Sequence, residues 1–137
     1  MKPTVKFDAQ LCIRCKRCLV ACAVENSKSK NLFEAIFEEP APQPRLKVVL
    51  NGRVAAVTAC RHCDAAICIA NCPTGAMHRD TPDGPVVIDK DRCIGCGNCV
   101  LVCPYGAPRL DIAGERIDKC DLCIERVEQG LEPACVS

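Results

Sequence analysis

"CIGCGNCVLVCPYGA" occupies residues 93–107 and holds Cys93, Cys96, Cys99 and Cys103, with Pro104 directly after the last. Four thiols in so short a stretch are poor disulfide partners. Cysteines three apart in a tight turn seldom reach disulfide geometry, and four in one turn compound the strain. Thiolates converging on a metal are a better reading, because C-x2-C turns point their sulfurs at one centre. The spacing C-x2-C-x2-C-x3-C-P is that of iron–sulfur ligation, in which three cysteines hold one cluster and the fourth holds a second. The stretch therefore requires another run elsewhere in the chain.

Three further runs are present. "CIRCKRCLVAC" carries Cys12, Cys15, Cys18 and Cys22 at the same spacing, with Ala23 in place of the proline. "CRHCDAAICIANCPTGA" carries Cys60, Cys63, Cys68 and Cys72, then Pro73, and its second gap is two residues longer. "CDLCIERVEQGLEPAC" carries Cys120, Cys123 and Cys135. The exchanged fourth ligand gives one cluster on Cys60, Cys63, Cys68 and Cys103, and another on Cys93, Cys96, Cys99 and Cys72. By the same rule Cys120, Cys123, Cys135 and Cys22 hold a third. Cys12, Cys15 and Cys18 hold a fourth that finds no fourth thiolate among these cysteines. That site is expected to keep four irons with a non-cysteine ligand (Ser137 or the terminal carboxylate) or one from a neighbouring subunit. A three-iron cluster and a merely labile site are the alternatives.

Structural zinc is the competing reading of the thiols, but zinc sites favour two C-x2-C pairs separated by a longer loop. The Cys-Pro pairs fit the cluster reading: proline removes a backbone donor and fixes φ, so the chain turns away after the fourth ligand. Thr74-Gly75-Ala76 and Gly106-Ala107 are small enough to pass close by.

Composition points the same way. In 137 residues aromatic side chains make up 3%, there is no Trp, and the 49% apolar fraction includes fifteen cysteines. With so few large core residues, metal binding has to contribute to folding. A net charge of +1 argues against a strongly basic nucleic-acid surface. Ligation of four cores would take it to roughly −6. No apolar stretch reaches membrane-spanning length and no signal segment opens the chain, so a cytoplasmic protein with reduced thiols is expected.

Between the runs the pattern is short and β-like. Residues 45–59 form two alternating apolar runs around Asn51-Gly52, a type I′ hairpin signal. Met77–Arg79 is expected to pair with Val86–Ile88, and Leu110–Ile112 with Arg116–Ile117. Short helices are expected over Leu19–Glu25, Asp64–Ala70 and Asp121–Gln129, with Gly130 as a C-terminal stop. The proline-rich stretch 38–44 reads as an extended connector.

His62 lies between two cysteines and would have to displace one to act as a ligand. It reads instead as a surface group, or one that tunes a cluster through a hydrogen bond. His78 is expected to be exposed on a strand. Arg14, Lys16 and Arg17 are either a solvated face or cations that raise a cluster's potential or dock an acidic partner. No catalytic dyad, phosphate loop or dinucleotide fingerprint is present.

"CRHCDAAICIANCPTGA", "RCIGCGNCVLVCPYGAPR" and "KCDLCIERVEQGLEPACV" together resemble the four-cluster electron-transfer subunits of the dimethyl sulfoxide reductase and formate dehydrogenase beta-subunit family. Short members resemble the polyferredoxin subunit of tungsten aldehyde oxidoreductases. The resemblance implies an α+β fold of tandem bacterial-ferredoxin-like modules related by a pseudo-twofold. Residues 1–30 with 108–137 would form the outer module, 45–107 the inner one with a hairpin insertion, and 31–44 the connector. It implies four [4Fe-4S] clusters and a non-catalytic subunit of anaerobic metabolism wired to a tungsten- or molybdenum-pterin oxidoreductase subunit. A flavin- or NAD-linked partner and self-assembly into a filament belong to the same expectation. A freely diffusing polyferredoxin and a zinc-stabilised interaction module are the alternatives.

Overall fold

Short elements dominate the structure, a computed structural model that describes residues 4–111 and 113–137. In chain order they are α1 (Arg17–Glu25), α2 (Leu32–Ala35), β1 (Lys47–Asn51), β2 (Val54–Thr58), α3 (Ile67–Ala70), β3 (Met77–His78), β4 (Val87–Ile88), α4 (Asn98–Val102), β5 (Arg109–Leu110), β6 (Ile117–Asp118) and α5 (Ile124–Glu128). The class is α+β, with three two-stranded antiparallel sheets among the described residues. The chain divides into two compact units, one built on Ala59–Leu122 and the other on Val5–Thr58 with Cys123–Ser137.

Prolines decide where the cysteine-run helices stop. α3 ends at Ala70 and α4 at Val102, just ahead of Cys72-Pro73 and Cys103-Pro104. Cys103 sits in the extended region at ψ 115, as a residue before proline must. In the first run Ala23 replaces proline, and α1 continues through Cys22 to Glu25. After each Cys-Pro the chain reverses through a left-handed glycine, Gly75 at φ 65 and Gly106 at φ 57. Ala76 and Ala107 follow as buried residues.

In the unit built on Ala59–Leu122, Met77, Val86, Cys99 and Ile117 form the core, with Ile69, Ile88 and Val100 packed against it. Met77 pairs with Ile88 and His78 with Val87; Arg109 pairs with Asp118 and Leu110 with Ile117. Both hairpins were expected, although Ile112 lies outside the described residues.

In the unit built on Val5–Thr58 and Cys123–Ser137, the β1–β2 hairpin pairs Asn51 with Val54, leaving Gly52-Arg53 as its loop. Gly52 has φ 57 and Arg53 is not among the positive-φ residues. That is a type II′ pattern with glycine first, one residue along from the expected Asn-Gly turn. α2 was not expected; Asn31 starts it by accepting the Phe33 N–H at 2.9 Å. The helix expected over Asp121–Gln129 is shortened to α5 because Leu122 and Cys123 are left-handed.

Candidate iron–sulfur centres

Each C-x2-C turn repeats one backbone feature. The residue before the second cysteine is left-handed in all four runs: Arg14 (φ 62), His62 (φ 48), Gly95 (φ 66) and Leu122 (φ 65). Lys16 and Gly97 repeat the conformation after the second cysteine. Such reversals turn successive amides inward and make the anion-binding nests typical of iron–sulfur sites. Three of the four positions carry a Cβ where glycine would be easiest, so composition alone hid the repeat.

The thiols of the Ala59–Leu122 unit fall into two groups. Cys60, Cys63, Cys68 and Cys103 line one cavity with about 380 Å³ of free space, partly open to solvent. Cys72, Cys93, Cys96 and Cys99 line another of about 320 Å³. Each cavity thus takes three thiols from one run and the fourth cysteine of the other. In the Val5–Thr58 and Cys123–Ser137 unit, burial and then the neighbouring Cys22, Cys123 and Cys18 thiols push Cys135 up to about 11. Burial likewise raises Cys22, where Cys123 adds to the effect. All fifteen cysteines are free thiols.

Backbone amides point at these sulfurs. Arg45 N–H donates to Cys22 Sγ at 3.2 Å, Met77 to Cys72 at 3.5 Å, Ile117 to Cys93 at 3.4 Å and Leu122 to Cys120 at 3.4 Å. Donors aimed at sulfur favour the thiolate and tune the potential of what it ligates. At Cys72 burial works to raise the thiol, but the donors, led by the Met77 amide and Thr74, bring it below the usual range. At Cys99 the raising effects win: burial and then the Cys68 thiol, with Cys93 and Cys96 adding, lift it to about 11 against its own backbone amide. A cationic core among such thiols would reverse that shift.

The residues fit a cluster better than a lone ion. Among the described residues, no group of three or more His, Cys, Asp or Glu is arranged to hold a single metal ion. Four thiols spread round a void, with amides facing the sulfurs, suit a larger core.

His62 is not the surface group the spacing allowed. It is 3% exposed, and its Nδ1 accepts the Val86 N–H at 2.9 Å. Burial, then the charges of Lys119 and Arg79, push its pKa down to about 3, so the ring is neutral with its proton on Nε2. That Nε2–H is buried without a protein partner. Arg79 donates to the carbonyls of His62 (2.9 Å) and Cys63 and to that of Gly84 (2.5 Å), tying the ligand loop to the β3–β4 turn. His78 lies in β3 as expected but is half-buried rather than exposed, between the Ala76 carbonyl (3.0 Å) and Asp80 (3.2 Å). Arg14 is exposed and donates to the Gly52 carbonyl at 3.1 Å, while Lys16 and Arg17 are exposed. Lys119 escaped the sequence reading. It is buried at 3% exposure and lines the cavity of Cys60 and Cys103.

The 4Fe-4S dicluster domain family matches residues 54–137, and a 4Fe-4S binding domain matches residues 9–25. The thiosulfate reductase electron transfer subunit PhsB of Salmonella typhi is 38% identical over 95% of this chain and 67% of its own length. A tetrathionate reductase subunit from Salmonella typhimurium is 37% identical over 95% of this chain and 51% of its own. An anaerobic dimethyl sulfoxide reductase chain from Escherichia coli is 37% identical over 95% of this chain and 65% of its own. The protein therefore spans about half to two thirds of the curated relatives it matches. Among the described residues no helix is long and apolar enough to cross a membrane. With more than half of its residues matched, and its thiols and amides arranged to receive clusters, the protein belongs to the 4Fe-4S dicluster domain family of ferredoxin-type iron–sulfur proteins.

Proposed function

We propose that the protein is a non-catalytic electron-transfer subunit. It carries about four [4Fe-4S] clusters and passes single electrons between the catalytic subunit of an oxidoreductase complex and a second redox partner. The reading rests on the two cavities that each gather thiols from two runs. In it, Cys60, Cys63, Cys68 and Cys103 ligate one cluster, and Cys72, Cys93, Cys96 and Cys99 another. The other seven cysteines (Cys12, Cys15, Cys18, Cys22, Cys120, Cys123 and Cys135) hold the rest, and the Cys12–Cys15–Cys18 site takes a fourth ligand other than these thiols. Bound clusters supply one-electron exchange by spreading charge over iron and sulfide, within about −700 to +450 mV. The chain's own part is to hold the thiolates, aim amides at their sulfurs and exclude water with Val86, Met77 and Ile117.

The names of the relatives favour a reductase catalytic subunit as partner. The sequence resemblance adds a molybdenum- or tungsten-pterin centre to that partner, and the free thiols favour the cytoplasm. A subunit held in a complex is preferred over a diffusing carrier because large apolar residues stand exposed on and after α2. Phe33 is 77% exposed, Ile36 63% and Phe37 81%.

Anaerobic purification tests the reading. Iron and acid-labile sulfide in comparable amounts, with a visible band bleached by dithionite, are expected. Zinc without iron or sulfide would sink it. Size exclusion of native extract then separates the two modes: elution with a large subunit supports the wire, elution alone the carrier.

A further inference from the structure

The two cavities of the Ala59–Leu122 unit differ in charge. The one shared by Cys72, Cys93, Cys96 and Cys99 is walled by Met77, Ile88, Ile94 and Ile117, and among the described residues no charged one lines it. The one shared by Cys60, Cys63, Cys68 and Cys103 is lined by Arg61 and Lys119. Arg61 is exposed, with its guanidinium 5.4 Å from the Tyr105 ring centre, so water screens it. Lys119 is buried, and its Nζ donates to the Cys120 carbonyl at 2.8 Å and to the Val86 carbonyl. Its charge acts within the cavity. Burial raises the Cys68 thiol, and Lys119 pulls against that rise; it also helps to keep His62 neutral, opposed there by Asp121.

A buried ammonium carries a large desolvation penalty, which two carbonyls offset only in part. An anionic occupant of the cavity completes the compensation. Four thiolates around an oxidised core carry a net charge of about −2, and one more electron makes it about −3. A fixed cation at the wall therefore favours the reduced state over the oxidised one.

We propose that Lys119 sets the reduction potential of the Cys60–Cys63–Cys68–Cys103 site, raising it above that of its neighbour in the same unit. Lys119 thereby makes this site the local electron sink. It stabilises the charge of one electron delivered by the redox partner, with no bond made or broken and no proton moved. The inference rests on the ligation proposed above.

Anaerobic EPR redox titration of the full-length holoprotein tests it, with Lys119→Gln, Lys119→Met and Lys119→Arg, and with Cys103→Ser to assign the signal. Lys119→Gln keeps a donor for the carbonyls without the charge. The midpoint of the assigned cluster is expected to fall in both neutral variants and to stay near wild type in Lys119→Arg, with the midpoint of the Cys72–Cys93–Cys96–Cys99 site unmoved. An unmoved midpoint in Lys119→Gln, whether or not Lys119→Met shifts, would overturn the proposal. So would loss of that cluster from both neutral variants, which would make Lys119 a folding residue. Wild-type protein without iron and sulfide would instead overturn the ligation, so the two failures are distinct.

Discussion

At the scale of single residues, the informative groups are those buried beside the thiols. The Val86 N–H lies in the core and has His62 Nδ1 as its acceptor. His62→Leu keeps the bulk and removes the acceptor, leaving a buried donor unmet at about 1–3 kcal/mol. A lower apparent thermal midpoint of the holoprotein is expected, with cluster content unchanged in the cold. An unchanged midpoint would mean that the Val86 amide finds another acceptor. The sequence placed His62 between two cysteines but could not show its burial. The residue that receives it lies 24 positions along the chain. Lys119 was hidden for the same reason: nothing next to "KC" says that the Val86 carbonyl will close over it.

At the scale of elements, the shared left-handed turn explains why the third run is written with two glycines. At Gly95 a Cβ would meet the Glu115 carbonyl oxygen at 2.2 Å, on backbone already at φ 66. At Gly97, φ 78, a Cβ meets nothing within 4 Å. Gly97→Ala therefore carries only the left-handed strain, about 1–2 kcal/mol. Gly95→Ala adds a backbone collision that has to displace either the ligand loop or the β5–β6 turn. Iron and sulfide per chain should drop in Gly95→Ala and hold in Gly97→Ala, and equal contents would show that the loop yields without losing its ligands. The end of α3 was legible ahead of Pro73, because a proline's effect is local. α4 was nonetheless missed, since five residues beginning inside a ligand run present no periodicity to read. The hairpin at 45–59 was legible from its alternation, but its turn slid by one residue, since Gly52 satisfies a II′ turn as readily as a I′ turn.

At the scale of the whole molecule, little holds the chain together apart from what its thiols would bind. The helices run from four to nine residues, lengths that are marginal in isolation. The sheets are two-stranded, which is marginal as well. Among the described residues the largest fully buried side chains are Ile117 and Val86. Both lie in the unit built on Ala59–Leu122. The thiol groups, by contrast, join the ligand loops of that unit, because each cavity draws on runs that begin more than thirty positions apart. Cluster binding would therefore supply much of the folding free energy, as in small metallo-domains that are unfolded without metal. Stripping iron anaerobically with a chelator should abolish cooperative thermal unfolding and the amide protection of β3, β4, α3 and α4. Iron with sulfide should restore both, and zinc should not, since each cavity spreads its four thiols round a space that suits a larger core. A stripped protein that still melts cooperatively would show that the apolar core of Met77, Val86 and Ile117 suffices by itself, and that the clusters are guests in a fold that does not need them.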